Sequence, residues 1–143
     1  NLQDPGNLGT MIRTGEGAGI TGVIMNQQTV DIFNPKTIRA TMGSIFRVPF
    51  VYVSELSPVL TQMHERGIHT YAAHLKGQKY YDSFSFREPI AFLIGNEGNG
   101  LTKEISDQAG QYLKIPMEGK VESLNASIAA ALLMYEAHRQ RNL

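Results

Sequence analysis

The chain has 143 residues, enough for one domain with a single substantial core and too few for two ordinary ones. Its 13 Lys and Arg balance 13 Asp and Glu, which excludes a global field that draws in nucleic acid and leaves any polyanion to local patches. The absence of cysteine rules out disulfides, a thiol nucleophile and cysteine-bound metal, a pattern that fits a cytosolic protein; no apolar run reaches the roughly 18 residues of a membrane span, and the start does not read as a signal peptide.

The first stretch, from Asp4 to Gly19, reads as a helix that carries Asn7 and Arg13, with Asn7 as a cap and Arg13 as a solvated charge being the plain alternative to function. A strand is expected at 22–25. Asn34-Pro35 then reads as a cap followed by proline at the first helical position, which predicts a helix from Pro35 towards Met42. The apolar run 46–53 is the next strand candidate. Ser54 is the expected cap of a helix ending near Gly67, with Leu56, Leu60 and Met63 spaced to face a sheet. Further strands are expected at 70–74, 90–94 and 112–115. Polar and aromatic residues 76–87 read as a surface loop, and residues 102–109 as a short helix. The last helix, 124–141, places Leu124, Ile128, Ala131, Leu132 and Tyr135 on one stripe, and Ala129, Leu133 and Met134 widen it. That apolar surface is too broad for one sheet contact. It is compatible with a partner subunit or with a deeply buried core helix. Strands alternating with helices predict an α/β fold with a largely parallel sheet flanked by helices.

Two glycine patterns fail as nucleotide motifs. Gly17-Ala18-Gly19-Ile20-Thr21-Gly22 precedes a strand instead of following one, and Gly119-Lys120 lacks both the leading glycine and the Ser or Thr of a phosphate loop. Three other stretches carry more, one of them the Asp4-to-Gly19 stretch already described. In Phe92-Leu93-Ile94-Gly95-Asn96-Glu97-Gly98-Asn99-Gly100-Leu101 a strand ends in a glycine-rich turn before a helix, the carboxyl edge where α/β proteins bind ligands. Glycines admit a ligand close to the backbone, and free amides bond an adenine or ribose without charge. A plain turn rich in Asn and Gly, with Glu97 as a helix-entry charge, is the alternative. The layout recurs from Ile115 to Ser127, where Ser123 reads as the cap of the last helix and Asn125, just inside it, has no structural duty.

Together these stretches resemble one family. N-L-G-x-x-x-R-T-x-x-x-x-G from Asn7, L-I-G-N-E-G-x-G-L from Leu93 and I-P-M-x-G-x-V-x-S-L-N-A-S from Ile115 are similar, in order and over nearly the whole chain, to the motifs of the SpoU (TrmH) family of RNA ribose 2′-O-methyltransferases. The resemblance implies a SPOUT fold with a C-terminal trefoil knot, although chains as a rule do not knot. It implies S-adenosylmethionine as cofactor, held near Gly95, Ile115 and Leu124 with Asn96 and Met117 beside them, and Ala73 or His74 as a further contact. It implies transfer of a methyl group to a ribose 2′-hydroxyl of rRNA or tRNA, with Arg13, Asn7, Glu97, Ser123 and Asn125 in the catalytic centre and no metal. Glu97 is expected to hold Arg13 in place. A homodimer is implied, and the whole chain, 1–143, is expected to be the methyltransferase domain. Because the sequence begins at Asn1 and many family members carry an N-terminal RNA-binding region, such a region is expected to have been lost from a longer protein. Arg39, Arg47, Lys76, Lys79, Arg87 and Lys120 are the candidate RNA contacts, with Tyr80, Tyr81 and Phe84 able to stack bases. A catalytically silent RNA- or cofactor-binding relative is the rival reading, and loss of Arg13 would have favoured it.

Overall fold

The computed structural model describes all residues from Asn1 to Leu143. Its first helix, α1 (Pro5–Ala18), starts where Asp4 accepts the Asn7 N–H at 2.7 Å and stops at Gly19, whose φ of 77° frees its N–H to bond the Glu16 and Gly15 carbonyls. Asp4, not Asn7, is therefore the cap. Strand β1 (Val23–Asn26) follows, then α2 (Pro35–Thr41), capped by Asn34 as its Asn-Pro signature requires. Strand β2 is shorter than the apolar run suggests. Met42 and Gly43, both at positive φ, reverse the chain into a 3-10 turn at Ser44–Phe46, and Pro49 has no N–H for a ladder, so β2 is confined to Phe50–Val53.

The next helix, α3 (Ser57–Glu65), begins after Leu56 without a side-chain cap. Ser54 lies outside it, because Pro58 suits only the first turn and sets the start. Strands β3 (His69–Ala73) and β4 (Ile90–Leu93), helix α4 (Lys103–Gln108), strand β5 (Gln111–Leu113) and helix α5 (Ala126–Arg141) complete the chain.

All the ladders are parallel. One joins β1 to β2 and the other runs in the order β4-β3-β5. A cleft of about 1260 Å³ lies between β1 and β4, lined by Ile24, Val51, Met63, Ile90, Phe92 and Met134 among others. Each ladder has its own core. Leu2, Leu8, Ile12, Met25, Ile32, Ile45 and Val48 are buried on the β1–β2 side, whereas Tyr71, Phe86 and Leu113 are buried with Leu133 and Ala137 of α5.

Residues 76–87 are not simply a surface loop. Phe86 is fully buried and meets Tyr71 and Phe92 edge-on at 5.1 Å each, and Phe84 meets Tyr71 at 5.4 Å. Gln140 and Arg141 of α5 bond the Phe84 and Phe86 backbone, so the aromatic residues complete a core that the short strands alone do not fill. In α5 the buried face is Ser127, Ala130, Leu133 and Ala137, and the expected stripe of Ile128, Leu132 and Tyr135 points to solvent. No helix is long and apolar enough to cross a membrane.

Candidate functional site

The register that pairs Ala72 with Leu93 and Ala73 with Leu113 brings the carboxyl ends of β3, β4 and β5 to one sheet edge. Ala73 and His74, Gly95 and Asn96, and Ile115 all emerge there. The loop after β4 closes on itself: the Asn96 and Gly100 N–H groups each donate to the other's carbonyl at 2.9 Å, and Asn96 Oδ1 accepts the N–H of Gly98 at 2.8 Å and Asn99 at 3.2 Å. A Cβ on Gly95 would stand 2.2 Å from the Gly100 carbonyl carbon, so glycine here serves the loop's own closure. Asn96 Nδ2 also donates to the Asn1 carbonyl, tying the loop to the start of the chain.

Glu97 projects from this loop onto the entry to α1. Its carboxylate accepts the Gln3 N–H at 3.1 Å, the Asp4 N–H at 3.0 Å and Asn7 Nδ2 at 3.3 Å. Partial burial pushes its carboxyl up, but the hydrogen bonds from Asp4, Gln3 and Asn7 outweigh that and hold it below the usual carboxylate value. Asn7 passes the link on, its Oδ1 accepting Asn125 Nδ2 at 3.0 Å. Asn125 Oδ1 in turn accepts the Ser127 and Ile128 N–H groups at the start of α5. Asn125 is thus the cap of α5 and has a structural duty after all. Ser123 stands exposed in the extended segment before it and caps nothing. The capping moves by two residues because Asn125, in an extended conformation, has the side chain that reaches the first free amides.

The relay Glu97–Asn7–Asn125 joins three segments that lie 90 and 118 residues apart in sequence. Arg13 is outside it. It stands exposed on α1 beyond Asn7, and the ion pairs of the chain are Arg47–Glu16, Lys103–Asp107 and Arg139–Glu136. Glu97 does not hold Arg13, because its acceptor positions face the backbone at Gln3 and Asp4 and the Asn7 amide.

The segment between β5 and α5 contrasts with the closed glycine loop. No backbone group of residues 115–124 bonds another backbone group, and Ile115, Met117 and Leu124 are half-buried there. These free amides and carbonyls, with the close wall at Gly95, are the kind of uncharged donor and acceptor set that suits an adenine and a ribose. His74 is committed elsewhere: its ring stacks on Tyr112 at 4.6 Å and its Nδ1 accepts the Lys76 N–H. Ala73 remains a backbone wall. The large cleft between β1 and β4 reaches Ile94 and Leu101 but none of the residues expected to hold the cofactor.

Among the expected RNA contacts, Arg39, Lys76, Lys79, Arg87 and Lys120 are exposed, while Arg47 is paired with Glu16. Tyr80 is exposed, but Phe84 packs on Tyr71 and Tyr81 is half-buried, so neither is a free stacking ring. Sequence reasoning missed Asp4 and the Glu16–Ser44–Arg47 cluster. The Asp-Pro pair before α1 carried the signal for the first; nothing local carried the second. No group of three or more His, Cys, Asp or Glu residues is placed to hold a metal ion.

The sequence model described as the SpoU rRNA Methylase family matches residues 1–135. The Bacillus subtilis 23S rRNA (guanosine(2553)-2′-O)-methyltransferase RlmP is 38% identical over 134 residues, 94% of this chain and 54% of that protein. Among solved structures, the SpoU methyltransferase AviRb from Streptomyces viridochromogenes in complex with the cofactor AdoMet superposes with a TM-score of 0.91 at 34% identity, covering 99% of this chain and 55% of that one. The AdoMet-bound rRNA methyltransferase from Sinorhizobium meliloti gives 0.89 at 37% identity, covering 97% and 53%. The chain spans about half the length of these relatives.

Proposed function

This chain belongs to the SpoU rRNA methylase family, and we propose that it is the catalytic domain of an RNA ribose 2′-O-methyltransferase that uses S-adenosylmethionine and acts on ribosomal or transfer RNA in the cytoplasm. The observation that carries this reading is the relay Glu97–Asn7–Asn125, which gathers the motif segments at the carboxyl edge of β4-β3-β5.

The cofactor, when bound, supplies a methyl group on an electrophilic sulfonium. Backbone groups at Gly95, Ile115 and Leu124 grip its adenine and ribose, with Asn96, Met117 and Ala73 as walls; the free backbone of residues 115–124 supports that assignment. Ser123 lies on the same segment, beside the transfer site. The protein's remaining task is to align the attacking hydroxyl and manage its proton. Arg13 is the group assigned to that hydroxyl. A guanidinium does not readily give up a proton, so Arg13 acts by orienting the ribose and its adjacent phosphate and by stabilising the negative charge that develops on the attacking 2′-oxygen as its proton leaves. Its lack of an acidic partner supports this, because an unpaired guanidinium keeps its fork of donors for a phosphate.

The same reading takes the protein to be a homodimer, with an N-terminal RNA-binding region in the longer protein. An added Cβ on Gly17 would lie 2.9 Å from the Tyr135 hydroxyl, so the α1 face that carries Arg13 adjoins the exposed Ile128, Leu132 and Tyr135 of α5. Those side chains form the apolar patch of a two-fold contact. Leu132→Asp is expected to halve the sedimenting mass; an unchanged mass removes α5 from the interface.

Arg13→Ala is expected to lower methyl transfer at least about 100-fold, the usual effect of removing one transition-state donor. Calorimetric binding of S-adenosylmethionine is expected to persist. Retained transfer would reject the role of Arg13, and absence of cofactor binding by the folded parent chain would reject the enzyme reading in favour of a silent relative.

A further inference from the structure

Glu16 stands three residues after Arg13 on α1, the spacing at which an arginine and a glutamate on one helix meet. It also lies in the last turn, where a negative charge opposes the helix dipole. An acid in that position would by default turn to the guanidinium on its own helix, that of Arg13. It is drawn away instead. The Ser44 hydroxyl donates to Oε2, Arg47 Nε donates to Oε1, and Arg47 Nη2 donates to Oε2 at 3.1 Å. Both carboxylate oxygens are taken by the 3-10 turn that follows α2.

The turn is shaped for this contact. Met42 (φ 50°) and Gly43 (φ 88°) swing the chain back towards α1, and Ser44 is buried against it. An added Cβ on Gly43 would lie 3.3 Å from Arg47 Nη1, so the missing side chain leaves the space into which the guanidinium folds. The hydrogen bonds from Arg47 and Ser44 hold the Glu16 carboxyl below its usual value, so it stays a charged acceptor at neutral pH.

We propose that Arg47, assisted by Ser44, is a positioning residue that sequesters Glu16 and thereby leaves the Arg13 guanidinium free for the phosphate and ribose of the substrate RNA. The inference rests on the role of Arg13 proposed above, and it removes Arg47 from the direct RNA contacts. Without this capture, Glu16 competes with the substrate for Arg13 and places a negative charge beside the phosphate. Arg47 and Ser44 never touch the RNA in this scheme.

The test is a set of purified variants assayed with substrate RNA, each checked for folding by thermal melting. Arg47→Ala is expected to raise KM for RNA about three- to tenfold, the combined effect of one helix-face ion pair and one unneutralised charge. The double variant Arg47→Ala/Glu16→Gln lacks the same Arg47 charge, yet is expected to return to within about twofold of the parent, since a neutral amide has little hold on Arg13. Independently of activity, the Arg13 Nε resonance should shift in Arg47→Ala and revert in the double variant. A loss that persists in the double variant would make Arg47 a phosphate contact and overturn the proposal. So would an unchanged KM and resonance in Arg47→Ala. Retained transfer by Arg13→Ala is a separate result: it rejects the function of Arg13, while the resonance still reports whether Glu16 is sequestered.

Discussion

Two connections leave the same edge of the β4-β3-β5 ladder, and they are built in opposite ways. The loop after β4 satisfies itself through the paired Asn96 and Gly100 backbones and the Asn96 side chain, with no room for a Cβ at Gly95. The segment after β5 leaves its backbone from 115 to 124 without backbone partners. One connection is closed by its own hydrogen bonds, and the other keeps the hydrogen-bonding capacity of its backbone unspent. Asn125 and Glu97 mark where each connection is anchored: Asn125 caps α5, and Glu97 grips the entry to α1.

The sharpest test of that contrast is a matched pair of glycine substitutions. Gly95→Ala forces a Cβ against the Gly100 and Leu101 backbone, which cannot yield like a side chain, and is expected to cost about 2–4 kcal/mol and to abolish cofactor binding; melting and calorimetry read both. At Gly119 nothing lies within 4 Å of the added Cβ, so Gly119→Ala should cost only the positive-φ strain, about 1 kcal/mol, with cofactor binding kept. Equal losses would erase the distinction between a packed loop and an open one.

The anchors come next. Asn125→Ala removes the cap of α5 and the link to Asn7, and is expected to lower stability by about 1–2 kcal/mol by chemical denaturation. Ser123→Ala should stay within about 0.5 kcal/mol of the parent, as for any exposed side chain without a partner. The reverse order would restore Ser123 as the cap.

The smallest effect is the pH dependence of Glu97. Its folded carboxyl titrates below the unfolded one, so its contribution is fully present above the unfolded value of about 4.3 and is lost as pH falls through the lower folded value. The group is exposed, so solvent screening keeps the change small. Acid denaturation of Glu97→Gln should show a shallower loss below that pH than the parent chain. An identical acid limb would mean that Glu97 is unpaired in solution.

What was legible in the sequence was local. Asn34-Pro35 announced α2, Gly19 and Gly67 ended their helices, and alternation of apolar runs with helical spacing gave parallel strands, because capping, positive φ and periodicity act over a few residues. The motif order also pointed to the family, and with it to the residues gathered at the sheet edge. Tertiary structure decided the rest. Phe86 entered the core, Glu97 chose the α1 entry over Arg13, Asn125 displaced Ser123 as a cap, and Glu16 went to Arg47. Each of those outcomes is a choice among partners of similar chemistry. Distance in the folded chain makes that choice, and residues as far apart as Asn7 and Asn125 acquire a distance only once α1 and α5 lie side by side.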